Sequence, residues 1–276
     1  MKPHWTLADI SWSRFDPFKV DPETVKAVKA ASIVEFNATD YVSYLLQIFP
    51  ADPEMRASIE RWGGEEVQHG EALAAWAKLA DPSFDFETSF ARFRAGYRPP
   101  HFESGLAARG GRAGEMIARC VVESGTSSYY SAIRDASEEP VLKEIAANIA
   151  ADEYSHYRLF YEGFLKYKPI EQPNLLERLR VALTRVLEAE DDELAFAFYC
   201  ANVPQLPGDT PAYDRARFSH EYNRRILRFY RPHHIHKAVA MIAKAVGLDP
   251  QGAAARCAGS LLWWTMQARG RFSAAA

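Results

Sequence analysis

The stretch WGGEEVQHGEAL (62–73) places Glu66 and His69 three residues apart, and NIAADEYSHYRL (148–159) repeats that spacing with Glu153 and His156. Residues three apart on a helix share a face, so each pair aims a carboxylate and an imidazole at one place. Two further glutamates keep a fixed distance from these pairs: Glu35 precedes Glu66 by 31 positions, and Glu123 precedes Glu153 by 30. Carboxylate oxygen and imidazole nitrogen together are donors for divalent transition metals.

An isolated Glu-x-x-His is common on a solvated helix face, so burial decides the matter. Helical steps from Glu35 meet Val28, Ala31, Val42, Leu45 and Phe49; steps from Glu66 meet Ile59, Trp62, Leu73 and Trp76. Steps from Glu123 meet Met116, Cys120, Tyr130 and Ile133, and steps from Glu153 meet Leu142, Ile145, Ile149, Phe160 and Phe164. All four acids lie within apolar stripes and face an interior. Four carboxylates in a low-dielectric core are costly unless cations cancel their charge. One Glu from each of two helices plus Glu-x-x-His from each of two others is the ligand set of di-iron and di-manganese bundles.

The elements that carry these residues follow from breakers and caps. Strand alternation is nearly absent and helical periodicity is pervasive. An arm over 1–21 precedes a helix started by Asp21-Pro22-Glu23 and running to about Phe49. Pro50–Pro53 turns into a second helix ending near Ala80. Residues 81–110 form a connection with a short helix near 87–95 and breakers at Pro82, Pro99, Pro100 and Gly110-Gly111. A third helix covers about 112–136, and Ser137–Pro140 turns into a fourth over about 141–166. Each Glu pair straddles its turn symmetrically, about 15 residues or roughly 22 Å away, so the pairs are level in antiparallel hairpins. The expectation is an all-α, ferritin-like four-helix bundle over 22–168. A helical C-terminal extension over 169–276, with helices near 174–201, 211–229, 233–246 and 250–269, packs on it as part of a single domain.

Composition narrows the class. The chain has 276 residues, 48% hydrophobic and 25% charged, with net charge −3, which gives no basic field for nucleic acid. Cys120, Cys200 and Cys257 are far apart, form no CxxC and fit a reducing compartment. No apolar run is long enough to span a membrane and no secretory h-region opens the chain, so a cytoplasmic protein is expected.

The local words resemble one family. EE-x-x-HG around Glu66 and IAADE-x-x-H around Glu153 are similar to the metal-binding helices of the soluble acyl-carrier-protein desaturases. EFNATDY around Glu35 (with Tyr41) and VVESGTSSYY around Glu123 resemble their other two ligand helices, and SWSRFDPFKVDP resembles their Trp-containing arm. The resemblance covers about residues 12–168. It departs where the plant enzymes have Arg before each motif histidine: here stand Gln68 and Ser155. Leu73 stands where ribonucleotide reductases carry a radical tyrosine, Ile149 where arylamine oxygenases add a histidine, and Thr126 where rubrerythrins carry a glutamate.

The resemblance implies two irons, with manganese as a possible occupant. Glu35, Glu66 and His69 would serve one metal and Glu123, Glu153 and His156 the other, with Glu66 and Glu153 as candidate bridges. It further implies Glu65 and Asp152 as acceptors for the histidine of the opposite helix, Trp12 as the arm tryptophan on an electron route, and Thr126 as a proton donor. For Thr126 the alternative is a small core residue, and for Glu65 an exposed acid. The implied reaction is O2-dependent desaturation of an acyl chain on acyl carrier protein, with a ferredoxin-type electron donor and a homodimer formed through Ile33, Phe36 and Tyr44. The alternatives are a di-iron oxygenase hydroxylating another substrate and a ferritin-like iron protein without substrate chemistry. Arg224, Arg225, Arg228, Arg231 and Lys237 could dock an acidic carrier or form a solvated face, and His233, His234 and His236 read as exposed residues at a helix start.

Overall fold

A computed structural model of the chain describes residues 4–97, 107–188, 192–204 and 210–274; Pro99 and Pro100 lie outside them. The fold is all-α, and no strand occurs among the described residues. The core is formed by α1 (Pro22–Phe36) with α2 (Ala38–Ile48), α3 (Pro53–Ala80), α5 (Arg112–Ala136) and α6 (Pro140–Glu171), with α4 (Phe86–Gly96) in the connection. Three of these helices, α1, α3 and α6, have a capped start. Asp21 and Asp52 accept from Thr24 N and Met55 N, and Glu139 accepts from Val141 N and Leu142 N, with proline at the first turn each time.

Five further helices follow: α7 (Leu175–Glu188), α8 (Asp192–Asn202), α9 (Arg215–Ile226), α10 (Pro232–Val246) and α11 (Ala253–Ala274). They pack back on the core. Helix α8 packs on α1, and α10 and α7 pack on α5. The arm lies along α6: Asp16 N donates to Glu139 Oε1 at 3.1 Å and the Ser11 hydroxyl to Glu144 Oε1 at 3.3 Å. No helix among the described residues is long and apolar enough to cross a membrane.

Two expectations need correction. The first helix does not run unbroken to Phe49. At Asn37 ψ rises to 12°, and its N–H is shared between Ile33 O and Val34 O at 3.2 and 3.1 Å. Arg94 of α4 donates to Asn37 Oδ1 at 2.9 Å, which favours the irregular geometry over the helical ladder. The apolar face proposed for dimerisation is used within the chain. Ile33 is fully buried in the core that includes α8, Phe36 packs edge-on against Phe86 and Phe90, and the Tyr44 hydroxyl donates to Glu115 at 2.6 Å.

Candidate metal centre

Helices α1, α3, α5 and α6 bring all six expected ligands together. Glu35, Glu66, His69 and Glu153 form one group that could hold a metal ion, and Glu66, Glu123, Glu153 and His156 form a second. Ligand atoms within each group lie within 4.8 Å of one another, and all six residues are buried. Glu66 and Glu153 belong to both groups, which is the arrangement of bridging carboxylates.

The histidines are oriented from behind. His69 Nε2 donates to Asp152 Oδ2 at 3.0 Å, and His156 Nε2 donates to Glu65 Oε2 at 2.8 Å. A carboxylate can only accept, so each bond uses the Nε2 proton and leaves Nδ1 as the nitrogen that faces the cluster. His69 Nδ1 lies 3.3 Å from Glu153 Oε1, and His156 Nδ1 lies 3.2 Å from Glu66 Oε1. Each supporting acid sits on the helix opposite its histidine, so the two hairpins are cross-tied.

Four buried atoms here lack a hydrogen-bond partner: Nδ1 of His69, Nδ1 of His156, Oε2 of Glu123 and Oε1 of Glu153. Orphaned buried polar atoms are rare and each is costly. A cluster of them on donor atoms that share one centre fits a pair of bound cations.

Charge is unevenly settled without metal. Burial, followed by repulsion from neighbouring glutamates, raises the Glu35 carboxyl well above the usual range. Burial likewise raises Glu123, against the attraction of Arg119. Burial also opposes ionisation of Glu66, but the adjacent imidazoles of His156 and His69 outweigh it and hold its carboxyl well below the usual range. Glu153 resists burial and the charge of Glu66 through the same histidines and falls to about 2.

The tryptophan of the arm that contacts Asp152 is Trp5, not Trp12. Trp5 Nε1 donates to Asp152 Oδ2 at 2.6 Å, and its ring stacks on His69 at 6.0 Å between centroids and 3° between planes. Trp12 turns inward on the arm and donates to Leu7 O at 2.8 Å. The arm runs antiparallel to α6, so its Ser11 is level with Glu144, roughly two turns from Asp152 and too far for Trp12 to reach. Gln68, one of the departures from the resembling motif, fixes this placement by donating to Trp5 O at 2.9 Å.

Thr126 lies against the cluster, its hydroxyl 2.7 Å from Glu153 Oε2 and 3.3 Å from both Val122 O and Glu123 O. Three other neighbours were not singled out as site residues from the sequence. Arg119 Nη2 donates to Glu123 Oε1 at 2.8 Å, one turn along α5, and its guanidinium lies 4.6 Å from the Trp62 ring. A charged residue on the same stripe as Met116 and Cys120 was the available signal. Tyr130 donates to Glu35 Oε1 at 2.5 Å. Arg185 of α7 joins Thr126 and Arg119 in lining a cavity of about 80 Å³ against the ligand glutamates; no local pattern points a residue from a later helix to this place.

The remaining clusters behave as structure. Arg225 and Arg224 lie 2.9 and 3.5 Å from Glu23, and Arg228 pairs with Asp21, so these arginines tie α9 to the start of α1. His234 is buried, not exposed: it accepts from Arg231 N at 3.0 Å and contacts Asp135 at 3.0 Å, while His233 stays on the surface. Asp135, His233 and His234 form a third group that could hold an ion, two of its members exposed. No family model matches this sequence, and no curated protein matches it.

Proposed function

We propose that the chain is an O2-dependent oxidoreductase built on a pair of irons in the α1–α3–α5–α6 core. The observation that carries this is the doubled ligand group sharing Glu66 and Glu153, with its orphaned donor atoms turned inward. Manganese would fit the same donors. When bound, a reduced iron pair supplies O2 activation strong enough to attack an unactivated C–H bond, chemistry that no side chain provides.

The protein's own groups supply the rest. Asp152 and Glu65 fix the tautomer and aim of His69 and His156. Trp5, partly exposed and stacked on His69, is the entry point for electrons from a one-electron donor of ferredoxin type. Thr126 holds a proton beside Glu153 at the cavity wall. Hydroxylation consumes one O2, two electrons and two protons, and returns an alcohol and one water. Desaturation uses the same inputs and returns an alkene and two waters.

Of these reactions, hydroxylation of another substrate is favoured over desaturation of a carrier-bound acyl chain. The cavity at the cluster is small and carries two arginines, and three of the arginines considered for carrier docking are paired within the chain. Anaerobic reconstitution should load about two irons per chain, and the doubly substituted Glu66→Ala, Glu153→Ala protein should load none. Undiminished iron in that variant sinks the assignment.

A further inference from the structure

We infer that the substrate of this centre is a small organic acid whose carboxylate is held by Arg185, with Arg119 reinforcing the positive field; this rests on the reading of the cluster as a metal centre. The cavity is lined by the four ligand glutamates and Thr126 together with Tyr41, Trp62, Arg119, Arg185 and Glu193. The histidines and their supporting acids are not among its lining residues, so a molecule entering here meets the carboxylates and Thr126.

Charge defines what enters. Two divalent cations would balance the four ligand glutamates, leaving Arg119 and Arg185 against Glu193 among the charged lining residues. The cavity is then positive by one charge, and an anion completes it. Arg119 is largely committed, with Nη2 on Glu123 and its side chain 12% exposed, yet its buried Nε has no partner. Arg185 is half-buried and has no carboxylate within ion-pairing distance among the described residues. A guanidinium in that position binds a carboxylate through charge-assisted, paired hydrogen bonds.

Size sets the other limit. Cavities for drug-sized ligands run to about 300–1,000 Å³, whereas this one holds about 80 Å³. That space suits a few heavy atoms beyond the carboxylate better than a long acyl chain. With the carboxylate on Arg185, the rest of the molecule shares the cavity with the ligand glutamates and Thr126, beside which the proposed oxidation occurs.

The test is calorimetric and needs no turnover. Protein loaded with manganese, with metal content measured first, is titrated with propionate, benzoate and decanoate, and with propionamide and benzamide as uncharged matches. A short acid should bind at least about tenfold more tightly than its amide and than decanoate. Arg185→Gln should weaken that acid about tenfold to a hundredfold with manganese content unchanged, and Arg185→Lys should restore part of the loss. Equal binding of acid and amide, tighter binding of decanoate, or acid binding indifferent to Arg185→Gln (coordination to metal alone) overturns the inference. Failure to load two manganese ions overturns the metal-centre reading itself, so the two failures are separable.

Discussion

At the scale of single residues, the two hydrogen bonds that Thr126 and Trp5 make to the centre separate its functions. Thr126→Val keeps volume and leaves all six ligands in place, so metal content should not change. A lost proton-delivering group costs about 10²–10⁴ in rate. Slower turnover with more hydrogen peroxide released per O2 consumed is therefore expected, and wild-type values for both would leave Thr126 a packing residue. Trp5→Phe should slow reduction of the oxidised protein by an external one-electron donor, because it removes both the indole and the bond to Asp152. Trp12→Phe should not, since that indole bonds only Leu7 O within the arm; equal rates in the two variants would reject the assignment of Trp5. The spacing of Glu and His made the convergence of these six side chains readable in advance. Trp5 was not readable, because which arm residue meets Asp152 depends on the register of an irregular segment on α6.

At the scale of elements, the centre depends on how closely two helices approach. A Cβ on Gly70 would lie 2.6 Å from Phe36 N and 2.8 Å from Phe36 Cα, inside the backbone of α1 next to Glu35. Only glycine lets α3 come this near, which gives a physical reason for the glycine after the motif histidine. Gly70→Ala should cost about 1–3 kcal/mol of stability through overpacking and displace Glu35, lowering metal content below two per chain. Gly64→Ala on the same helix meets nothing within 4 Å and is the control; equal effects of the two would refute the close-approach argument. The α3 start offers a pH test. Asp52 caps the helix and bonds Lys166 and Tyr167, and the Lys166 bond leads in holding its carboxyl down at about 2. A folded value below the unfolded one stabilises the protein above about pH 4 and loses that contribution as pH falls toward 2. Asp52→Asn keeps the cap, so its melting temperature should fall below wild type at pH 7 and converge with it near pH 2. A gap that does not shrink with pH excludes the ion pair as its source. Caps and proline turns made the long helices legible from sequence. The break at Asn37 was not, because Arg94, from a helix distant in sequence, favours it.

At the scale of the whole molecule, the ligands come from both hairpins, α1 and α3 in one and α5 and α6 in the other. Metal should therefore act as a cross-link between halves of the fold. Without it the core holds four carboxyls and two imidazoles and leaves four of their buried atoms without a hydrogen-bond partner. Ligands must lose their protons to bind metal, and burial already keeps Glu35 and Glu123 from ionising. Metal uptake should accordingly release protons and strengthen as pH rises through the neutral range. Titration with zinc in two buffers of different ionisation enthalpy measures the number released, and a zero count would contradict the ligand set. Metal held at about a thousandfold excess over its Kd stabilises a fold by about 4 kcal/mol. In a chain of this length that corresponds to roughly 10 °C in melting temperature. Chelation should lower the melting temperature by about that much and increase hydrogen exchange in α1, α3, α5 and α6 together. Helix α11, which packs mainly on α10 and α9 among the described residues, should change little. Exchange confined to one hairpin would mean that the two groups of ligands do not share their metals. An unchanged melting temperature in the doubly substituted Glu66→Ala, Glu153→Ala protein on adding chelator is the matching control, because that protein has lost both bridging carboxylates.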